Sequence, residues 1–347
     1  MDEPTSVLTP QEVGRLFVVL RRLREEGCAI LFISHKLDEV RELCDGATVL
    51  RMGRVVATCD PRRESAASLA EMMVGRGLAP VNRPPPHAGQ VVLEIIGLTL
   101  PRDDPFGIDL SDIHLALRAG EIVGIAGVAG NGQTELLRAL SGERQAAAAA
   151  AIKLSGEPIG ALGPWARRAR GLGFVPEERL GRGAVAEMSL AENALLTGYG
   201  AGLAARGIVL PRRVRELTRR IRAGFGVVAS GDDARAASLS GGNLQKFIIG
   251  REILLAPRVL IAAHPTWGVD VGAARAIHQA LLDLRDRGAA VLLVSEDLDE
   301  LLAIADRIAV LSRGRLTPTR ALAETSREEI GIWMSGLNDR PEPADAA

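Results

Sequence analysis

Two stretches of the chain are versions of one another set 261 positions apart. PTSVLT from Pro4 aligns with PTWGVD from Pro265, and REEGCAILFISHKLDEV from Arg24 aligns with RDRGAAVLLVSEDLDEL from Arg285. The same offset brings Asp45 onto Asp306 and VLRMGR from Val49 onto VLSRGR from Val310, without a gap. An internal repeat of this kind signals a recurring supersecondary unit, so the two copies are expected to fold alike. The opening residues therefore repeat the C-terminal third, and the expectation is that a first copy of the intervening part is missing ahead of Met1.

Within each copy the pattern reads helix, strand, helix, strand. Val13 to Glu26 carries apolar residues at helical spacing and stops at Gly27. Cys28 to Ser34 is a short apolar, partly β-branched run, which predicts a parallel strand buried on both faces. Lys36 to Cys44 returns to helical periodicity, and Ala47 to Leu50 predicts another strand. Ala79 to Gln90, with Pro84, Pro85 and Pro86 at its centre, cannot continue a helix or an inner strand and is expected to be a stiff exposed linker. The expected division is thus 1–78 for the C-terminal part of a first unit and 79–90 for the linker. A larger α/β unit follows over 91–334, with an Arg-rich and Ala-rich helical region between about Ser189 and Ala237, and then a flexible acidic tail over 335–347.

The larger unit carries EIVGIAGVAGNGQTELLRAL, an apolar strand running into Gly127, Val128, Ala129, Gly130, Asn131, Gly132, Gln133 and Thr134 and then a helix. This fits the phosphate-loop frame, GxxxxGK followed by Ser or Thr, at every position except the lysine, which is Gln133. Glycines let backbone N–H groups wrap phosphate oxygens, and the helix start adds partial positive charge. Gln donates a hydrogen bond but lacks the full charge that offsets the β- and γ-phosphates. The alternatives are a glycine-rich turn without a ligand and a dinucleotide loop. The latter fits poorly, because the third glycine of its frame falls on Glu135. A second motif, Leu239-Ser240-Gly241-Gly242-Asn243, precedes a helix, a Pro-marked turn and an apolar strand ending at Ala263-His264. The counterpart of that strand end in the first copy is Asp2-Glu3, an acidic pair of the type that handles a divalent cation and a water.

Bulk composition narrows the partners. Lys plus Arg, 42, nearly cancels Asp plus Glu, 43, which speaks against a polyanion such as nucleic acid. Cys28, Cys44 and Cys59 form no CxxC pair and suit a reducing compartment better than a disulfide framework or zinc site. No apolar run approaches the ~20 residues needed to cross a bilayer, so membrane association is expected to come through partner proteins.

Phosphate loop, Val175-Pro176-Glu177-Glu178-Arg179, LSGGN and the strand ending before a PT motif, in this order, resemble an ABC-transporter ATPase over about Val91 to Pro318. The repeat extends the resemblance to Met1 to about Arg76. AGNGQTEL, PEER, LSGGNLQK, VDVGA and SEDLDEL are most similar to the tandem ATPases of simple-sugar and nucleoside importers, in particular the nucleoside-type branch. The resemblance implies an α/β fold of P-loop NTPase layers with a helical subdomain, in tandem, with the first copy truncated. It implies ATP and Mg2+ as ligands, with two halves meeting head to tail. Asp2 would hold magnesium, Glu3 would activate the attacking water and His35 would contact the γ-phosphate. Ser240, Gly241 and Gly242 would close that site from the other half. Gly127, Gly130, Asn131, Gly132, Gln133 and Thr134 would cradle nucleotide in the second half.

That second half departs from the family pattern at each chemical position: Gln133 for Lys, Ala263 for the magnesium Asp, His264 for the catalytic Glu and Glu296 for the switch His. It is expected to hold nucleotide at most without turning it over, and His264 and Glu296 could instead pair with each other. The implied partners are two transmembrane permease subunits and, indirectly, an extracytoplasmic substrate-binding protein, with no nucleic acid. The implied location is peripheral, on the cytoplasmic face of the cell or inner membrane. Two functions stay open: an energy-coupling importer subunit, and a non-hydrolysing nucleotide-binding or regulatory fragment. A twin ATPase of translation or DNA repair is disfavoured by the short Pro-rich linker. Low solubility is also expected, because Cys28 to Ser34 would lack a neighbouring strand.

Overall fold

The computed structural model describes residues 1–5, 8–34, 36–51, 53–74, 82–334 and 336, and in it the repeated sequence becomes a repeated structure. The first copy contains α1 (Pro10–Glu25), α2 (Leu37–Leu43), the antiparallel hairpin of β1 (Ala47–Arg51) and β2 (Arg54–Cys59), and α3 (Ala66–Val74). The larger unit begins with β3 (Val91–Leu100), β4 (Leu110–Arg118), β5 (Ile122–Ala126) and α4 (Gln133–Ser141). It continues through β6 (Ile152–Leu154), β7 (Glu157–Pro158), α5 (Pro164–Ala169), β8 (Leu172–Val175) and α6 (Leu190–Gly198). The small hairpin of β9 (Ala204–Ala205) and β10 (Ile208–Val209) then leads to α7 (Pro211–Gly224) and α8 (Gly241–Leu254). Last come β11 (Val259–Ala263), α9 (Val271–Asp286), β12 (Ala290–Ser295), α10 (Leu298–Ile304), β13 (Arg307–Ser312), β14 (Arg315–Leu316), β15 (Arg320–Ala321) and α11 (Arg327–Met334).

Both ends of α1 and α9, and both ends of α2 and α10, lie 261 residues apart. Smaller details repeat too. Thr5 donates to Glu39 at 2.6 Å as Thr266 donates to Glu300 at 2.6 Å, and Arg24 pairs with Asp45 at 3.1 Å as Arg285 pairs with Asp306 at 3.0 Å. Each long helix is started by a side chain. Thr9 and Glu12 form a reciprocal capping box on α1, and Asp270 accepts the Ala273 N–H at 2.9 Å on α9. Gly53 and Gly314 close their hairpins with φ of 73° in both cases. A Cβ at Gly53 would meet open space, whereas at Gly314 it would collide with the Asp109 carbonyl.

The main sheet of the larger unit runs β13-β5-β12-β11-β8, all parallel, with β14 and β15 antiparallel on β13. Strands β5, β11 and β12 are buried along their whole length, as parallel strands covered on both faces must be. One face packs against α4 and the four-stranded antiparallel sheet β4-β3-β6-β7, and the other against the helices. Helix α8 has no segregated polar face and is buried on most sides because α7, α9 and β8 all pack on it, and Gln245, Arg251 and Glu252 go inside with it.

The predicted strand over Cys28 to Ser34 does not form. Its equivalent, β12, pairs with β5 on one side and β11 on the other. In the first copy the pairing observed among the described residues is one bridge: Ile33 N–H to the Met1 carbonyl, 3.0 Å, and Glu3 N–H to the Ile33 carbonyl, 2.9 Å. Strand structure depends on partners, and apolar pattern alone could not supply them. Where a counterpart of β5 would lie, a cavity of about 710 Å³ opens between this segment and β1, lined by Ile30, Phe32, Val40, Val49 and Leu69 among others. The first copy's own core is small, with Phe17, Leu20 and Leu43 at its centre.

The copies meet reciprocally: α1 packs on α11, the counterpart of α3, and α3 packs on α9, the counterpart of α1. This is the isologous arrangement of a two-fold dimer, built within one chain. Residues 82–90 form neither helix nor strand and are largely exposed, and they are fastened to the larger unit. Asn82 N–H donates to Gln279 at 2.9 Å, and the buried Arg285 donates to the Pro84 carbonyl at 2.8 Å. Residues 79–81 of the expected linker, and all of the expected tail except Gly336, lie outside the described residues.

Candidate functional site

The glycine-rich turn joins β5 to α4. Gly130 and Gly132 adopt φ of 79° and 109°, and Gly132 caps α4 in the left-handed region that glycine alone enters cheaply. Thr134 is exposed in the first turn. The Gln133 side chain does not point outward: it is 8 % exposed and folds back over the turn. Its Nε2 donates to the Val128 carbonyl at 2.9 Å, and its Oε1 accepts the Asn131 N–H at 3.1 Å. Asn131 also donates to the Val128 carbonyl, at 2.9 Å, and its Oδ1 accepts the Arg313 N–H at 2.8 Å, tying the turn to the β13–β14 hairpin. Gly127 lies so near the Gln133 amide that a Cβ there would clash.

At the end of β11, His264 stands where the first copy has Glu3, and the two residues share a left-handed backbone, φ 44° and 43°. His264 is buried edge-on to Trp267, with ring centroids 5.5 Å apart. Burial holds its pKa below the usual histidine value against the pull of Glu177, Glu300 and Asp297, so the ring is neutral. Glu296 is pushed up to about 7, by burial first and by the Glu177 carboxylate second. Its Oε2 is buried with no hydrogen-bond partner among the described residues.

Glu3, Lys36, His264, Trp267, Glu296 and Asp297 line one cavity of about 140 Å³ between the copies. Two pairs of counterparts face it together: Glu3 with His264, and Lys36 with Asp297. Burial raises the Asp297 pKa, and the Lys36 ammonium is the largest influence drawing it back down. The cavity is therefore crossed by the pseudo-two-fold relation of the chain, with groups of opposite charge type at one pair of equivalent positions, Lys36 and Asp297.

Ser240 is the N-cap of α8, its Oγ accepting the Asn243 N–H at 3.4 Å and the Asn243 side chain at 2.9 Å, and Gly241 and Gly242 form the first turn. These three residues do not line the cavity that holds Glu3, and neither do those of the glycine-rich turn. Asp2 is exposed beside Ile33, and His35 lies outside the described residues. Two positions that the structure ties to this region escaped sequence reasoning. Arg179 binds Gln245 of α8 through Nε at 3.2 Å and the Trp267 carbonyl through Nη2, so it joins the Pro-Glu stretch, the helix after Ser240 and the turn after His264. An arginine directly after the glutamates was the signal for it. Lys36 could have been found only by asking which residue aligns with Asp297.

Comparison with known proteins follows the same lines. A family model described as ABC transporter matches residues 110–267. The nucleoside import ATP-binding protein NupA of Lactococcus lactis is 40% identical over 97% of this chain and 67% of its own length. The glucose import ATP-binding protein TsgD13 of Haloferax volcanii is 41% identical, covering 100% and 63%. The ribose import ATP-binding protein RbsA 1 of Rubrobacter xylanophilus is 41% identical, covering 97% and 66%. The chain thus spans about two thirds of the length of these relatives. Among solved structures, an ATP-binding subunit of an ABC transporter superposes with a TM-score of 0.58 at 22% identity, over 70% of this chain and 99% of the other. An ATP-binding cassette in a dimeric post-hydrolysis state bound to ADP and Pi superposes with a TM-score of 0.58 at 21% identity, over 66% and 98%. At these identities the likeness is one of fold.

Proposed function

The chain belongs to the ABC transporter family of ATP-binding proteins, and from that membership we propose that it is an ATP-binding, energy-coupling subunit of an importer for nucleosides or simple sugars. The observation that carries the reading is the reciprocal packing of the two copies, α1 on α11 and α3 on α9, with equivalent residues facing one cavity. Such an arrangement suits a pair of halves that close and open on each other. ATP bound between the halves supplies the free energy of that closure. In the proposed first site Asp2 would hold Mg2+, Glu3 would orient a water and take its proton, and His35 would contact the terminal phosphate; Ser240, Gly241 and Gly242, which do not line the cavity holding Glu3, would have to close on it from the other half.

In the second loop the Asn131 N–H is already bonded to Gln133 Oε1, and the Gln133 side chain lies folded over the turn. Ala263 and His264 supply no carboxylate there. These features favour, as the second reading, a half that regulates rather than hydrolyses. Two transmembrane permeases and an extracytoplasmic binding protein complete the proposed importer, and no described helix is long and apolar enough to cross a membrane itself. In this reading the chain is peripheral, on the cytoplasmic face of the membrane, and held there by the permeases.

Uptake of a labelled nucleoside and a labelled pentose by cells lacking the gene tests the proposal: loss of either supports it, and unaltered uptake of both overturns it. ATP turnover by the purified chain, abolished by Glu3→Gln, would instead exclude the purely regulatory reading.

A further inference from the structure

We propose that Gln133 is an internal plug of the second phosphate loop, its side-chain amide occupying the place of a phosphate oxygen. The inference rests on reading that loop as a nucleotide site and concerns what controls entry to it. A phosphate oxygen in such a loop is an acceptor for backbone N–H groups. Here the acceptor is already present: Gln133 Oε1 receives the Asn131 N–H at 3.1 Å. A lysine at this position could not do the same, since an ammonium carries three donors and no acceptor.

The other end of the amide is satisfied as well. Gln133 Nε2 and Asn131 Nδ2 both donate to the Val128 carbonyl, each at 2.9 Å, so that oxygen has no further lone pair to offer. Asn131 is in turn held from behind, its Oδ1 accepting from Arg313 N–H at 2.8 Å and its carbonyl from Gly314 N–H at 2.9 Å. The loop is thereby a closed set of hydrogen bonds around a side chain that is 8 % exposed. Nucleotide must break both Gln133 bonds and turn the side chain out before its phosphates can meet the backbone.

The substitution of lysine by glutamine has two separable effects. Losing the charge weakens phosphate binding, and gaining an acceptor blocks the site. Truncation separates them, because a residue that helps bind phosphate and one that competes with phosphate respond in opposite directions.

Equilibrium titration of the full chain with Mg-ATP, read by calorimetry, compares the native protein with Gln133→Ala and Gln133→Lys. With net hydrogen bonds of the usual strength, Gln133→Ala is expected to bind about five- to tenfold tighter than the native chain, and Gln133→Lys tighter still. Gln133→Ala binding equally or more weakly, while Gln133→Lys binds, overturns the plug and leaves the nucleotide reading standing. Absence of binding by all three removes the loop as a nucleotide site and the plug with it. Should Gln133→Ala not fold, Gln133→Ser removes the same amide and is read in the same way.

Discussion

Glu3 and His264 hold one backbone conformation at equivalent places, φ 43° and 44°, and look into one cavity between the two copies. A left-handed backbone is costly for any residue with a Cβ, so its appearance at both positions marks a turn that the architecture imposes whatever the side chain. The chemistry has diverged while the geometry has not: a carboxylate on one side, a neutral imidazole on the other.

Restoring the acid type to the second copy should therefore fail. His264 sits among Glu177, Asp297 and Glu300, and a carboxylate there would add a buried like charge. His264→Glu is expected to lose about 2–3 kcal/mol at pH 8 and to recover part of it by pH 5, as the introduced acid protonates. Urea unfolding at the two pH values decides this. Equal stability of variant and native protein at pH 8 would show that the cavity tolerates the charge.

Glu296 gives the native protein a pH dependence of its own. Its folded pKa, about 7, lies above the ordinary value of 4.5, so the folded state holds the proton more tightly. The stabilising contribution is complete below about pH 4.5 and is lost as pH rises through about 7. Glu296→Gln, which cannot ionise, is expected to match the native protein at pH 5 and to exceed it at pH 8. A stability difference that is the same at both pH values would contradict the assignment.

Arg179 should act through shape as much as charge. It spans Gln245 and the Trp267 carbonyl, both neutral acceptors. Arg179→Ala is expected to cost about 1–3 kcal/mol. Arg179→Lys should recover less than half, because an ammonium lacks the planar fork that reaches both acceptors. Denaturation midpoints of the three proteins, with Trp267 fluorescence as a local probe, provide the check.

The open slot beside Ile33 should be visible in solution. Leu31 is 77% exposed and Leu50 65% exposed, flanking the cavity of about 710 Å³. The native chain is expected to bind an apolar dye such as ANS and to self-associate, as exposed apolar edges do. Leu31→Lys combined with Leu50→Lys should reduce both while moving stability by no more than ~0.5 kcal/mol per site. Dye binding unchanged by the pair would place the apolar surface elsewhere.

Much of this was legible in the sequence, for reasons that differ from element to element. The end of α1 was read to within a residue from Gly27, whereas its start was read at Val13 and lies at Pro10, because the Thr9–Glu12 capping box went unrecognised. The glycine-rich turn between β5 and α4 was readable from its glycines, and the expected P-loop layers with a helical subdomain are the fold that the chain has. Cys28 to Ser34 was misread because a strand is a property of its neighbours, and among the described residues its pairing is the one bridge made with Met1, Asp2 and Glu3. The inward turn of Gln133 was invisible for a related reason: it depends on Asn131 being held by Arg313, which lies 182 residues away in sequence. Nor could periodicity reveal that Lys36 faces its own counterpart, Asp297, since the meeting of the two copies is a tertiary event.

The hairpin glycines carry one more consequence. Gly53 and Gly314 share a φ of 73°, but only Gly314 is covered, by the Asp109 carbonyl. Asparagine or aspartate, which tolerate that backbone, are admissible at Gly53 and barred at Gly314. A side chain at Gly53 would thus meet backbone strain alone, whereas one at Gly314 would meet the strain and the Asp109 carbonyl together, so the same turn tolerates replacement in one copy and refuses it in the other.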